Sequence, residues 1–115
     1  MNRITNPEHP DTDYLDWREG SGNTIEIFDI VVGSERGRGI GRRMVEELLT
    51  TVRADHVSKT LIFAITRQDN HIAREFYTAI GFREMGRLVN FYSPESRMIV
   101  DAIMYGYDVY GPRVE

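Results

Sequence analysis

The stretch Thr24-Ile-Glu-Ile-Phe-Asp-Ile-Val-Val-Gly-Ser-Glu-Arg-Gly-Arg-Gly-Ile-Gly-Arg-Arg-Met-Val-Glu-Glu-Leu-Leu49 decides how the rest of the chain is read. Its apolar, β-branched run from Thr24 to Val32 is broken only by Glu26 and Asp29, a pattern that predicts a strand buried on both faces. Gly33, Gly37, Gly39 and Gly41 then end the strand and let the backbone approach another group closely. Ile40, Met44, Leu48 and Val52 recur every four residues, with Val45 and Leu49 beside them, which predicts a helix from about Gly39 to Ala54 with one stripe facing a core.

A strand, glycine loop and helix in that order form an anion site for a physical reason. The first-turn amides of a helix lack intrahelical partners, and the helix dipole places partial positive charge at that end. Arg36, Arg38, Arg42 and Arg43 add formal charge around them, so a phosphate or pyrophosphate is the expected ligand. A P-loop would need Gly, four residues, then Gly-Lys-Ser/Thr, and no such string occurs. A dinucleotide fingerprint would need a third glycine where Arg42 stands, and an acid closing the next strand where Thr66 and Arg67 stand.

The stretch Arg36-Gly37-Arg38-Gly39-Ile40-Gly41 resembles the acetyl-coenzyme A loop of the GNAT acetyltransferase superfamily, Gln/Arg-x-x-Gly-x-Gly/Ala. A second family signature lies about thirty residues on: Asn70-x-x-Ala73-x-x-Phe76-Tyr77-x-x-x-Gly81-Phe82. The segment Gly81–Tyr92 followed by Asp101-Ala-Ile-Met104 is similar to the tail of ribosomal-protein-alanine N-acetyltransferases, which hints at an amino-terminal or peptide acceptor. The resemblance covers roughly Thr24 to Met104. It implies an α/β GNAT-like fold, a mixed central sheet with two main helices, shortened at the amino terminus. It also implies a splay between two parallel strands that admits a pantetheine arm.

Outward from this core, 115 residues predict one domain, with residues 1–23 an irregular lead-in plus a short strand and 24–105 the motif core. A hydrophobic content of 41% is ordinary for a globular protein. No run approaches the roughly 20 apolar residues of a bilayer span, and the polar start lacks a signal-peptide core, so no membrane role is expected. The absence of cysteine excludes disulfides, thiolate metal sites and a cysteine nucleophile, and suits a cytoplasmic location. A net charge of −4 opposes a general nucleic-acid binder and favours a cationic acceptor such as an amine. His9, His56 and His71 are scattered without metal spacing, so no metal is expected and each reads as a surface residue.

Along the chain, Tyr14–Trp17 predicts a short strand, and the turn formers Glu19–Asn23 predict a hairpin into the strand at Thr24. Lys59–Thr66 predicts the next strand, a right-handed crossover away. Asp69 or Asn70 can cap a second helix whose apolar face is Ile72, Ala73, Phe76, Tyr77 and Ile80, ended by Gly81. Phe82–Tyr92 and Met98–Tyr110 predict an antiparallel pair around Ser93-Pro94-Glu95-Ser96.

Acetyl transfer needs a neutral amine against the thioester, stabilisation of the oxyanion, and a proton for the thiolate. The resemblance implies acetyl-coenzyme A as co-substrate, bound by Ile30, Val31, Val32, Arg36, Gly37, Arg38, Gly39, Ile40, Gly41, Arg42, Asn70, Ala73 and Tyr77. It puts the oxyanion against a backbone amide near a bulge at about Asp29 or Ile30, and makes Tyr77 the general acid. Tyr77 also fits a plain core position beside Phe76. The glutamate some relatives use as base is absent, Ile25 and Ile65 standing in its places. Asp29 is then a base or the anchor of a neighbouring loop, and a relay water is equally compatible. Phe91, Tyr92, Tyr105, Tyr107 and Tyr110 fit an acceptor pocket, a subunit contact or strand packing. The acceptor is read as a small-molecule amine or a peptide amino terminus, and the assembly as a homodimer, because residues 1–23 cannot supply covering helices. The rival reading is a non-catalytic acyl-coenzyme A binding module or regulator; a nucleotide-binding domain using the same loop is weaker.

Overall fold

The periodicities resolve into strands β1 (Asn2–Thr5), β2 (Asp13–Glu19) and β3 (Thr24–Val32), helix α1 (Ile40–Asp55), β4 (Leu61–Arg67), α2 (His71–Ala79), β5 (Arg83–Leu88) and β6 (Ala102–Asp108). The structure, a computed structural model, describes residues 1–34, 37–89, 91 and 100–111. The strands form a mixed six-stranded sheet in the order β1-β2-β3-β4-β6-β5, the α/β arrangement expected. The chain divides into two compact units, Met1–Ile62 with Asp108–Glu115, and Phe63–Tyr107, with β4 belonging partly to each.

In the first unit an antiparallel meander carries α1. The heptad-like stripe read from the sequence is the one buried: Ile40, Met44, Val45, Leu48, Leu49 and Val52 lie against the sheet, with Gly41 among them. Leu15, Ile25, Leu48 and Val52 are wholly buried, each large side chain worth about 1.5–3 kcal/mol. Residues 1–13 are not an irregular lead-in. Asn2–Thr5 pair antiparallel with Trp17–Tyr14, and Ile4 is the single apolar anchor of the pairing, too little to register as alternation. The hairpin expected at Glu19–Asn23 joins β2 to β3.

Nor is β3 buried on both faces. Ile25 and Ile27 point into the core while Phe28 is 55% exposed and Asp29 is exposed. The register explains this: Trp17 faces Ile27 and Asp16 faces Asp29, so Phe28 is the extra residue of a bulge. Beyond it, Ile30 and Val32 oppose the inward-facing Leu15 and Asp13. The outer face is covered by its own charges. Arg3 grips Asp16 through Nε and Nη2 at 2.7 and 2.9 Å and lies 4.0 Å over the Tyr14 ring. Arg18 Nε donates to Glu26 at 2.6 Å, which accounts for the acid that interrupts the strand. His56 is half-buried rather than a plain surface residue, meeting Glu19 at 3.0 Å and the edge of Trp17.

In the second unit Asn70, not Asp69, caps α2, its Oδ1 accepting from the Ala73 amide at 3.1 Å. Asp69 instead takes a two-point contact from Arg67 at 3.0 Å. Ile72 does not join the apolar face: it is 63% exposed, because the helix begins at His71 and its first turn lies outside the packed stripe. Tyr77 is the buried residue of the helix, and Gly81 at φ +99° terminates it. β5 and β6 pair antiparallel from Arg83–Gly106 to Leu88–Ala102, shorter than the two runs read from sequence. Their Ser93–Ser96 connection lies outside the described residues.

Candidate functional site

The glycine loop leads into a helix start that carries no side-chain cap among the described residues. Gly39 is the N-cap at φ 72°, ψ 17°, a left-handed conformation, and no side chain caps the first turn. The first intrahelical bond described runs from the Arg43 amide to the Gly39 carbonyl at 3.0 Å, so the amides of Ile40 and Gly41 have no intrahelical acceptor. No acid sits in the first turn to neutralise them. A Cβ built on Gly37 or Gly39 would meet no atom of the described residues within 4 Å, so no described residue fills the space before them. Arg38, Arg42 and Arg43 are exposed around it, while Arg36 lies outside the described residues. Ile30, Val31 and Val32, half-buried at the end of β3, lead in from the bulge.

What anchors this loop is Asp13, not Asp29. Asp13 opposes Val32 in the register, and its fully buried carboxylate takes four hydrogen bonds. Asn6 Nδ2 donates at 2.8 Å, the Gly33 and Ser34 amides at 2.9 and 3.0 Å, and the Ser34 hydroxyl completes the set. Burial alone would raise the carboxyl pKa; the bonds from Ser34, Asn6 and the two amides outweigh it and hold the group well below the ordinary carboxylate range. Arg3 does the same to Asp16, its hydrogen bond outweighing burial. Both folded-state values lie below the unfolded ones, so their contribution to stability is present above about pH 4 and lost as pH falls toward the folded values. Stability is therefore expected to decline steadily on acidification below about pH 5, read by unfolding through Trp17, the lone tryptophan. A flat profile down to pH 2 would contradict the network.

In the second unit, Asn70 presents its amide group at the exposed start of α2, with Oδ1 engaged by Ala73. The Tyr77 ring is 3% exposed, stacked on Tyr105 at 5.6 Å and packed against Phe76 and Phe82 at 5.3 and 5.1 Å. Tyr105 is held by Arg74 Nε at 3.1 Å, and Tyr107 packs on Phe82, so two of the five aromatic candidates are structural; Phe91 and Tyr110 are exposed, and Tyr92 lies outside the described residues. Thr66 Oγ1 is buried without a partner among the described residues. No grouping of three His, Cys, Asp or Glu among the described residues could hold a metal ion, and no helix there is long and apolar enough to cross a membrane. Asn6, Asp13 and Ser34 were invisible as a site in the sequence, since nothing local ties residues twenty positions apart.

The sequence model of the acetyltransferase (GNAT) family matches residues 7–82. Among curated proteins none matches the chain. Among solved structures, a GNAT-family protein from Desulfovibrio desulfuricans is 26% identical with a TM-score of 0.71, over 85% of this chain and 61% of its own. The ribosomal-protein-S18-alanine N-acetyltransferase of Escherichia coli is 22% identical with a TM-score of 0.66, over 85% and 61%. A GNAT acetyltransferase from Elizabethkingia anophelis, solved with acetyl-coenzyme A bound, is 16% identical with a TM-score of 0.72, over 84% and 68%. The chain thus spans about three fifths of the length of the first two.

Proposed function

Since the chain belongs to the GNAT acetyltransferase family, its model matching residues 7–82, we propose that it moves an acetyl group from acetyl-coenzyme A to a primary amine by direct attack in a ternary complex. The observation that carries this reading is the first turn of α1 behind Gly39, which has no side-chain cap and no acid of its own and follows directly on the glycine motif of the sequence. The loop from Arg36 to Arg43 holds the pyrophosphate, and Ile30–Val32, Asn70 and Ala73 serve the pantetheine arm. The amine nitrogen forms a bond to the thioester carbonyl carbon as the carbon–sulfur bond breaks. A backbone amide beside the Phe28 bulge, at Asp29 or Ile30, meets the oxyanion. Asp29, exposed one residue past the bulge, takes the amine proton directly or through water, and the Tyr77 hydroxyl protonates the leaving thiolate.

The exposed Asp29 carboxylate suits a cationic acceptor, either a small amine or a peptide amino terminus, in a cytoplasmic setting. The burial of the Tyr77 ring favours one second reading, an acyl-coenzyme A binding module without turnover. Calorimetry with acetyl-coenzyme A, followed by free-thiol detection over a panel of amines and amino-terminal peptides, separates the two. Binding without thiol release on any acceptor supports the module; no binding removes both. We further propose a homodimer, since Phe28, Met85, Val89 and Phe91 are large apolar side chains left exposed. Light scattering at micromolar concentration should return twice the 13.3 kDa chain mass; a monomer would sink the proposal.

A further inference from the structure

The tie between Asp13 and the strand end is more elaborate than a hairpin needs. The Gly33 amide donates both to the Thr12 carbonyl and to Asp13 Oδ1, each at 2.9 Å. The Asn6 amide donates to the Asp13 carbonyl at 3.0 Å while its side chain donates to Asp13 Oδ2. The two backbones lie so close at this point that a Cβ on Gly33 would stand 3.1 Å from the Thr12 carbonyl oxygen. Gly33 and Ser34 are the last two residues before the segment that leads to Gly37 and the first turn of α1. A loop that grips a phosphate through backbone amides loses conformational entropy on binding, and the loss shrinks if one end is already fixed.

We infer that Asp13 is a positioning residue for the phosphate loop: through Gly33 and Ser34 it fixes the point from which the loop leaves β3, so that the loop is pre-ordered for its ligand. The inference rests on the acetyl-coenzyme A reading above, and it makes the bond pattern at Asp13 matter as much as the charge. Asp13→Asn keeps one oxygen for the two amides but turns an NH2 group toward Asn6 Nδ2, donor against donor. Exchanging the two residues, Asn6→Asp with Asp13→Asn, restores the pairing with its polarity reversed.

The experiment compares amide hydrogen exchange at Gly33, Ser34 and Gly37–Gly41 with the calorimetric Kd for acetyl-coenzyme A. Wild type, Asp13→Asn, the exchanged pair and Ser34→Ala are the four proteins. Asp13→Asn should exchange faster at these amides and bind roughly tenfold or more weakly, with KM for acetyl-coenzyme A raised and kcat at saturation within about twofold. The exchanged pair should recover both readouts, and Ser34→Ala should show a smaller loss in the same direction. A purely structural role would lower the unfolding midpoint and leave Kd and loop exchange alone, and that result overturns the inference. Unchanged exchange in Asp13→Asn overturns it too, and if that variant does not fold, an unchanged Ser34→Ala does so instead. Should wild type not bind acetyl-coenzyme A, the proposed function falls, and the exchange comparison still decides whether Asp13 orders the loop.

Discussion

Gly39→Val is expected to weaken acetyl-coenzyme A binding by at least about 100-fold while the protein stays folded. Two costs combine. A β-branched residue at φ 72° carries strain of about 1–2 kcal/mol, relieved only if the cap leaves its left-handed conformation and drags the first-turn amides with it. Each charge-assisted bond from those amides to a phosphate oxygen is worth about 1.5–3 kcal/mol, so losing two already exceeds a 100-fold change. The introduced Cβ meets no atom of the described residues within 4 Å, and a circular dichroism spectrum like that of wild type is expected. Gly39→Asn sharpens the result, because asparagine tolerates the left-handed region and only fills the open space. Loss of binding in both variants places the phosphate there, and calorimetry showing wild-type affinity in both removes the loop from the coenzyme site.

Tyr77→Phe should lower kcat by roughly 10²- to 10⁴-fold, the usual contribution of general acid catalysis, with the Kd for acetyl-coenzyme A nearly unchanged. The substitution deletes one oxygen and leaves the ring stacked on Tyr105 and packed on Phe76 and Phe82, so the aromatic packing is retained. That aromatic packing is what makes the experiment clean. It holds the ring in place whether or not the hydroxyl reacts. Wild-type turnover in the variant would reduce Tyr77 to a core residue and leave the thiolate to be protonated from water.

The sequence announced α1 because Ile40, Met44, Leu48 and Val52 repeat with the helical period, and the structure buries that stripe. The cap and the stop of α2 were legible for the same local reason, Asn70 and Gly81 being residues whose chemistry acts within four positions. Misreadings arose where a local pattern depends on a distant partner. The strand Asn2–Thr5 carries one buried apolar residue and exists by pairing with β2. Ile72 looked apolar and is exposed. Asp29 looked like a carboxylate that must be paired or used, whereas the carboxylate so placed is Asp13, whose four hydrogen bonds come from two separate stretches of chain. Of the candidate site, the glycine loop could be read from its spacing, and its anchor could not.

The extra residue at Phe28 also means that β3 is written in two reading frames. Up to Ile27 the odd-numbered residues oppose the inward positions of β2, and from Ile30 the even-numbered ones do. A gapless comparison with a strand that lacks the extra residue would carry the odd frame through, placing Asp29 and Val31 in the interior and Ile30 and Val32 outside. Hydropathy would then seem to break its own rule at Asp29, and a one-residue gap put anywhere but at Phe28 would move the fault without removing it. Homologues should therefore be aligned here by strand pairing, and inward positions transferred between them only after the frame change has been located.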